Sequence, residues 1–179
     1  MVIERPEQLR PAVEQVWAWL AEVEDPEIPV ISVVDLGIVR EVAWLGDECV
    51  VTITPTYSGC PATHVIGQSI EQALRQHGVT HVRLVNRIAP AWTTDWMSEE
   101  GKRKLRVYGI APPIGLASEQ RIALDQIGRG GLPAAAPLPA CPHCGSTATR
   151  LTSQFGSTPC KALYVCTRCR EPFDHFMCH

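Results

Sequence analysis

Two pairs of cysteines near the carboxyl end constrain the fold of this chain more than any other feature. Cys141 and Cys144 form one C-x2-C pair, and Cys166 and Cys169 form a second pair after 21 intervening residues. Each pair can present two thiolates to one metal ion at about 2.3 Å, and two pairs complete a closed tetrahedron. The spacing predicts a zinc-ribbon-like module with a structural zinc held by these four cysteines. An iron–sulfur cluster on the same four thiolates is the main alternative.

The segment around these pairs is expected to fold only with metal. Alternation with a period of two residues predicts strands at 161–165 and 173–178. A module of about 40 residues buries too little apolar surface to be stable by itself, so a metal is needed to hold it together. Four protein thiolates leave no open position on the metal, so its role is expected to be structural.

Two further cysteines of this segment, Cys160 and Cys178, have no C-x2-C partner. Two interpretations stay open for them. They pack as small apolar side chains beside the ribbon, or they bind metal, either as an additional, transient site for a metal or a cluster or by exchanging with a ligand of the ribbon pairs.

Charge and hydropathy exclude some classes of function. The net charge is −3, which gives no support for nucleic-acid binding, and it divides into −6 for residues 1–128 and +3 for residues 129–179. No run of about 18 apolar residues occurs, so no membrane span is expected. The first ten residues lack an apolar signal segment, which favours a cytoplasmic location, where thiols stay reduced.

A separate α+β domain is predicted ahead of the cysteine-rich tail. The hydrophobic periodicity predicts helices at 8–23, 62–77 and 98–108 and strands at 37–45, 48–54 and 80–88. The order α-β-β-α-β-α indicates a small α/β layer domain. We expect this domain to span residues 8–113, a linker rich in proline, glycine and alanine to span 114–138, and the ribbon module to span 139–179.

The sequence leaves three roles possible for Cys60. This cysteine lies in the stretch TPTYSGCPA at 54–62, just ahead of a predicted helix with Pro61 at its first position. The partial positive charge of a helix N-terminus favours a thiolate, so Cys60 is a metal ligand, a reactive thiolate or a buried helix-capping side chain. His64, one helical turn later, could share a metal with it.

Acidic residues earlier in the chain could approach Cys60 in a small domain. Glu27 lies in DPEIP and Asp35 in VVDLG, although turn formation and helix capping are the default roles for acids in such positions. No nucleophile elbow or phosphate-binding glycine loop is present, so no catalytic residue is predicted.

Long motifs also carry a family resemblance. DPEIPVISVVDLGIVREV at 25–42 and TPTYSGCPA resemble the SufT-like domain family of iron–sulfur assembly factors. The stretches AWTTDWMSEEGKRKLRVYGIAPP, CPHCGS, FGSTPCKALYVC and CREPFDHFMC resemble the branch of that family that serves phenylacetate degradation.

This resemblance implies an accessory role beside the multicomponent phenylacetyl-CoA epoxidase. The expected partners are its reductase and oxygenase components, and the expected task is assembly or delivery of an iron–sulfur cluster to the reductase, without a catalytic step by this chain. A standing, non-catalytic subunit of the complex is the alternative, and self-association stays open. No nucleic-acid or membrane partner is expected.

The resemblance also implies roles for individual residues. Cys60 takes the family's reactive cysteine position, where iron or a cluster would bind transiently. The acidic motifs contain Asp25, Glu27 and Asp35, and the tail pattern contains Cys141, Cys144, Cys160, Cys166, Cys169 and Cys178.

Overall fold

The computed structural model describes residues 10–57, 59–115 and 137–177, and two β-sheets organise them. The first sheet contains strands β1 (Val39–Leu45), β2 (Glu48–Ile53) and β3 (Val82–Asn86) in that order. β1 and β2 are antiparallel across a turn at Gly46, where φ is +64°. β2 and β3 are parallel, and helix α2 (Ala62–Gln76) is the crossover that parallel pairing requires.

Helices α1 (Val13–Leu20) and α2 pack against each other and cover this sheet. The predicted helix at 8–23 is expected to start near Arg10 with Pro11 in its first turn, but Pro11 and Ala12 precede α1, and the chain turns back at Ala21. Residues 8 and 9 lie outside the described residues. Burying each large aliphatic side chain contributes about 1.5–3 kcal/mol, so this interface stabilises the domain. The largest fully buried aliphatic side chains of these three elements are Val16, Leu20, Val51, Ile53, Ile70 and Leu74.

Helix α3 (Glu99–Tyr108) confirms the prediction at 98–108. Ser98 is its N-cap and accepts a hydrogen bond from the Gly101 N–H at 2.8 Å, and Gly109 ends it in the left-handed conformation. A 3-10 turn at Thr94–Trp96 lies immediately before α3.

The second sheet joins the carboxyl-terminal module to the first domain. It contains β4 (Ile110–Ala111), β5 (Thr149–Ser153), β6 (Lys161–Cys166) and β7 (Pro172–Phe176), in the order β4-β7-β6-β5. β4 follows α3 directly and pairs in parallel with β7, so main-chain hydrogen bonds connect the regions on either side of the predicted linker. Most of that linker, 116–136, lies outside the described residues.

Strand β7 presents two phenylalanines to two different cores. Phe173 packs in a small cluster with Cys141, Cys166 and Ala111, whereas Phe176 belongs to the main core. Phe176 also meets the Trp92 ring edge to face at a centroid distance of 6.0 Å. Residues three apart on a strand point to opposite faces, so β7 holds the ribbon against the first domain. The observed architecture is therefore the predicted α+β domain followed by a β module, with the two modules packed together.

Candidate functional site

Four cysteine thiols converge at one end of the ribbon module. The Sγ atoms of Cys141 and Cys169 lie 3.7 Å apart, and those of Cys144 and Cys166 lie 3.6 Å apart. All four sulfur atoms lie within 4.8 Å of one another. The structure thus brings together the four residues that the C-x2-C spacing singled out.

The two cysteine turns have the same backbone geometry. In the first turn, the Gly145 N–H donates to the Cys141 carbonyl at 2.8 Å, and Gly145 has a φ of +70°. In the second turn, the Arg170 N–H donates to the Cys166 carbonyl at 2.9 Å, and Arg170 has a φ of +67°. Arginine rarely adopts this left-handed conformation, so the turn holds it there to point both thiols of the pair inward.

The sulfur spacing fits a single tetrahedral ion. Four sulfurs at about 2.3 Å from a zinc ion would lie about 3.8 Å apart, close to the two observed separations. The thiolates of a cubane cluster each bind a different iron and are held farther apart. The Cys169 N–H donates to Cys166 Sγ at 3.5 Å and lowers the pKa of Cys166 to about 6, while contacts with the neighbouring thiols raise the pKa of Cys169 to about 12. The donor set therefore suits zinc held by Cys141, Cys144, Cys166 and Cys169.

Cys60 lies in the loop between β2 and α2, away from the ribbon thiols. Its N–H donates to the Tyr57 carbonyl at 3.1 Å, and its own carbonyl accepts from Thr63 N–H at 3.2 Å. α2 begins at Ala62. Pro61 is therefore the N-cap of this helix and not its first helical residue, which is the position that the sequence predicted. The side chain of Cys60 is half-buried against the main core.

The thiol of Cys60 lines a small cavity between the two modules. The cavity has a volume of about 20 Å³. Residues of the first domain form most of its wall, and Cys160 and Phe176 close it from the ribbon side. Its polar and sulfur-bearing lining residues are Asp25, Glu27, Thr56, Cys60, Thr63 and Cys160.

Cys160 and Glu27 meet directly in this wall. The Cys160 thiol lies 3.8 Å from Glu27 Oε2 and 3.1 Å from the Thr158 hydroxyl. Burial raises the pKa of Cys160, and the negative charge of Glu27 raises it further, so the thiol form can donate to the carboxylate. The sequence alone gave no sign of this contact, because 133 residues separate the two side chains.

The other two motif acids have different surroundings. Asp25 is buried beside Glu27, and its Oδ1 accepts hydrogen bonds from the Glu27 and Ile28 N–H groups at 2.9 and 2.8 Å. Asp35 is not among the residues that line the cavity. It accepts from Ser98 Oγ and Lys104 Nζ at 2.6 Å each, and so connects the loop before β1 to α3. Asp35 is placed to stabilise the fold, and Asp25 is placed to orient Glu27.

No histidine is among the described residues that line the cavity. His64 is exposed on α2 and lines a surface groove that Cys60 also lines, and His143 is exposed beside Gly109. His175 Nδ1 lies 3.2 Å from the Ala111 carbonyl, and burial lowers the pKa of its imidazole. Cys178 and His179 lie outside the described residues.

Comparison with known families defines the class of this chain. Residues 13–84 match a family model described as an iron–sulfur cluster assembly protein, and residues 130–177 match one described as the PaaD zinc beta ribbon domain. An iron–sulfur assembly domain joined to a zinc ribbon is therefore the class that the sequence and fold define.

The full chain also has a curated relative. It is 47% identical over 169 residues to a protein of Escherichia coli strain K12 that is named as one subunit of a "Putative 1,2-phenylacetyl-CoA epoxidase", and the match covers 94% of each chain. This chain belongs to the family of that epoxidase subunit, which confirms the resemblance inferred from the motifs.

Two solved structures are each similar to about half of this chain. A domain of unknown function from Bacillus anthracis is 29% identical with a TM-score of 0.48, covering 52% of this chain and 90% of its own. A conserved hypothetical protein from Thermotoga maritima is 30% identical with a TM-score of 0.46, covering 54% of this chain and 95% of its own.

Among residues 10–57, 59–115 and 137–177, none of the helices has the length and apolar composition needed to cross a membrane.

Proposed function

We propose that this chain is an accessory maturation factor for a phenylacetyl-CoA epoxidase, and that it assists iron–sulfur cluster assembly in the reductase component. The observation that carries the proposal is the cavity that Cys60 and Cys160 share with Glu27. Thiolates and carboxylates are ligands for iron, and here they come from both the assembly domain and the ribbon. The proposal assigns no catalytic step to the chain.

The ribbon thiolates have a separate, structural part in this proposal. Cys141, Cys144, Cys166 and Cys169 would hold one zinc ion, which supplies folding energy to the module and has no open position for chemistry. The ribbon in turn holds β6 and β7, which bring Cys160 and Phe176 to the cavity.

Support for a phenylacetyl-CoA epoxidase as the client comes from the name of the relative in Escherichia coli. Support for cluster assembly comes from the family model that matches residues 13–84. We place the chain in the cytoplasm with the reductase and oxygenase components as partners.

Deletion of the chain tests the proposal. Reductase purified without oxygen from cells that lack the chain should contain flavin but little iron and acid-labile sulfide, and expression of the intact chain should restore both. Normal iron and sulfide in the reductase from the deletion cells would contradict a maturation role.

A standing structural subunit is the second candidate, because the relative is named as a subunit of the epoxidase. In that case the chain should co-purify with the oxygenase and reductase at fixed stoichiometry. Mature, separately purified components should then lose activity without it. Full activity of those components without the chain would exclude this candidate and agree with a maturation factor.

A further inference from the structure

We propose that the cavity between the two modules is a binding site for a single Fe2+ ion, with Cys60, Cys160 and Glu27 as its ligands. The proposal deepens the proposed function, on which it depends for the choice of iron as cargo. The choice of Cys60, Cys160 and Glu27 as ligands comes instead from the geometry of the cavity.

Two of the three donors are already spaced as ligands. A thiolate at about 2.3 Å and a carboxylate oxygen at about 2.0–2.2 Å from one tetrahedral ion lie roughly 3.6 Å apart. Cys160 Sγ and Glu27 Oε2 are separated by 3.8 Å. The Cys160 residue is 5% exposed and its sulfur also contacts Thr158, so surrounding packing fixes its position.

Cys60 is the donor that must move when the ion binds. It lines the same cavity, but its thiol is not within 4.8 Å of both other donors: among the described residues, the four ribbon cysteines are the only group of three or more His, Cys, Asp or Glu side chains that are this close together. A rotation of the half-buried Cys60 side chain toward the other two donors would complete the site.

The size of the cavity distinguishes an ion from a cluster. A cavity needs about 10–15 Å³ to hold one water molecule, and this cavity offers about 20 Å³. This space accepts one metal ion, whereas a cluster with its bridging sulfides is several times larger. The proposed site would therefore hold a single Fe2+ ion before that ion is built into an iron–sulfur cluster.

Charge balance is compatible with a buried ion. Binding breaks the S–H bonds of Cys60 and Cys160 and releases two protons, while the Glu27 carboxylate stays ionised. The filled site carries one negative charge, and the ammonium of Lys161, a residue only 5% exposed and 3.6 Å from Asp174, lies next to Cys160 in the chain. Three protein ligands leave a fourth position through which a client thiolate could take the ion.

The test is iron binding to the full chain with zinc already in the ribbon. The protein is dialysed without oxygen against Fe2+ alone in zinc-free buffer, because the same donors would bind Zn2+ more tightly. Iron and zinc per chain are then measured by elemental analysis, and the number of sulfur ligands per iron is measured by X-ray absorption. The variants are Cys60→Ser, Cys160→Ser and Glu27→Gln. The control is Cys49→Ala, which removes a buried thiol from β2.

The expected result is one iron per intact chain with two sulfur ligands. Each of the three variants should weaken iron binding by more than about tenfold, since even partners that only orient a ligand contribute that much, while zinc content stays unchanged. Cys49→Ala should bind iron like the intact chain. Unchanged iron binding by a zinc-containing Cys160→Ser variant, or no iron bound by the intact chain, would overturn the inference.

The same variants separate this inference from the proposed function. Iron binding that depends on Cys60, Cys160 and Glu27 establishes the site, whatever the state of the reductase. If the reductase from cells carrying Cys160→Ser has its normal cluster content, the iron site stands and the maturation role does not.

Discussion

The thiol of Cys160 donates a hydrogen bond to Oε2 of Glu27 over 3.8 Å and joins the ribbon to the assembly domain at the cavity that Cys60 also lines. The ribbon is therefore part of the wall of this cavity rather than a separate appendage. The parallel pairing of β4 with β7 and the packing of Phe176 on Trp92 fix it in the same orientation. Changes that loosen the ribbon should therefore increase the exposure of the Cys160 thiol.

Loss of one ribbon thiol should unfold the module and expose the cavity. In a Cys166→Ser variant we expect zinc to fall from one to none per chain, because a metal-binding free energy of about 10–16 kcal/mol holds modules of this size together. Cys160 should then react quickly with an alkylating reagent, measured by mass spectrometry. Cys49→Ala is the control and should keep both zinc and a protected Cys160. A zinc-free variant with Cys160 still protected would show that the ribbon folds without metal.

Asp35 should make stability depend on pH. Burial alone would raise its pKa, but hydrogen bonds from Lys104 and Ser98 outweigh burial and hold the pKa below the ordinary value of 3.8. A depressed pKa in the folded state means that Asp35 stabilises the fold above pH 3.8, and that this contribution disappears as the pH falls through the folded pKa.

The matching experiment is urea unfolding of an Asp35→Asn variant. At neutral pH the variant should be less stable by about 1–3 kcal/mol, the usual contribution of a charge-assisted hydrogen bond, and the difference should shrink in acid. Glu99→Gln removes an exposed partner of Lys102 and should change stability little at any pH. The ion pair between Asp35 and Lys104 would be contradicted if the difference in free energy of unfolding between Asp35→Asn and the intact chain stayed constant as the pH fell.

Gly37 should tolerate substitution much less well than Gly46. Both have positive φ, +69° and +64°, so an alanine at either position incurs about 1–2 kcal/mol of backbone strain. A Cβ at Gly37 would also overlap the Trp96 carbonyl, whereas a Cβ at Gly46 would meet nothing within 4 Å. Gly37→Ala should therefore lose more than about 4 kcal/mol in denaturant unfolding. Equal losses for the two variants would show that the loop before β1 can move away from Trp96.

Phe176 should matter to the fold far more than Phe155. Phe176 is 1% exposed in the main core, whereas Phe155 is 65% exposed. Phe176→Ala should lower the free energy of unfolding by about 3–5 kcal/mol, and Phe155→Ala should change it by no more than about 0.5 kcal/mol. Calorimetry of both variants checks this. A small effect of Phe176→Ala would mean that the ribbon does not share the core of the first domain.

The sequence predicted local features better than it predicted the packing contacts between the two modules. The helix at 98–108 and the two C-x2-C turns each depend on a few adjacent residues, so local chemistry determines them. The two-residue strand β4 was missed because so short a segment has no periodicity, and it forms only through its partner β7. The Cys160–Glu27 contact depends on that same packing, which no spacing in the sequence encodes.

We expect Cys60 to be the residue through which this chain serves cluster assembly in the reductase. The most direct test of this expectation is the iron and acid-labile sulfide per flavin in reductase purified, without oxygen, from cells carrying either Cys60→Ala or Cys49→Ala in place of the intact chain. We predict a reductase depleted of iron and sulfide with Cys60→Ala and a normal one with Cys49→Ala, with both variants folded by circular dichroism. A fully loaded reductase from the Cys60→Ala cells would contradict the account.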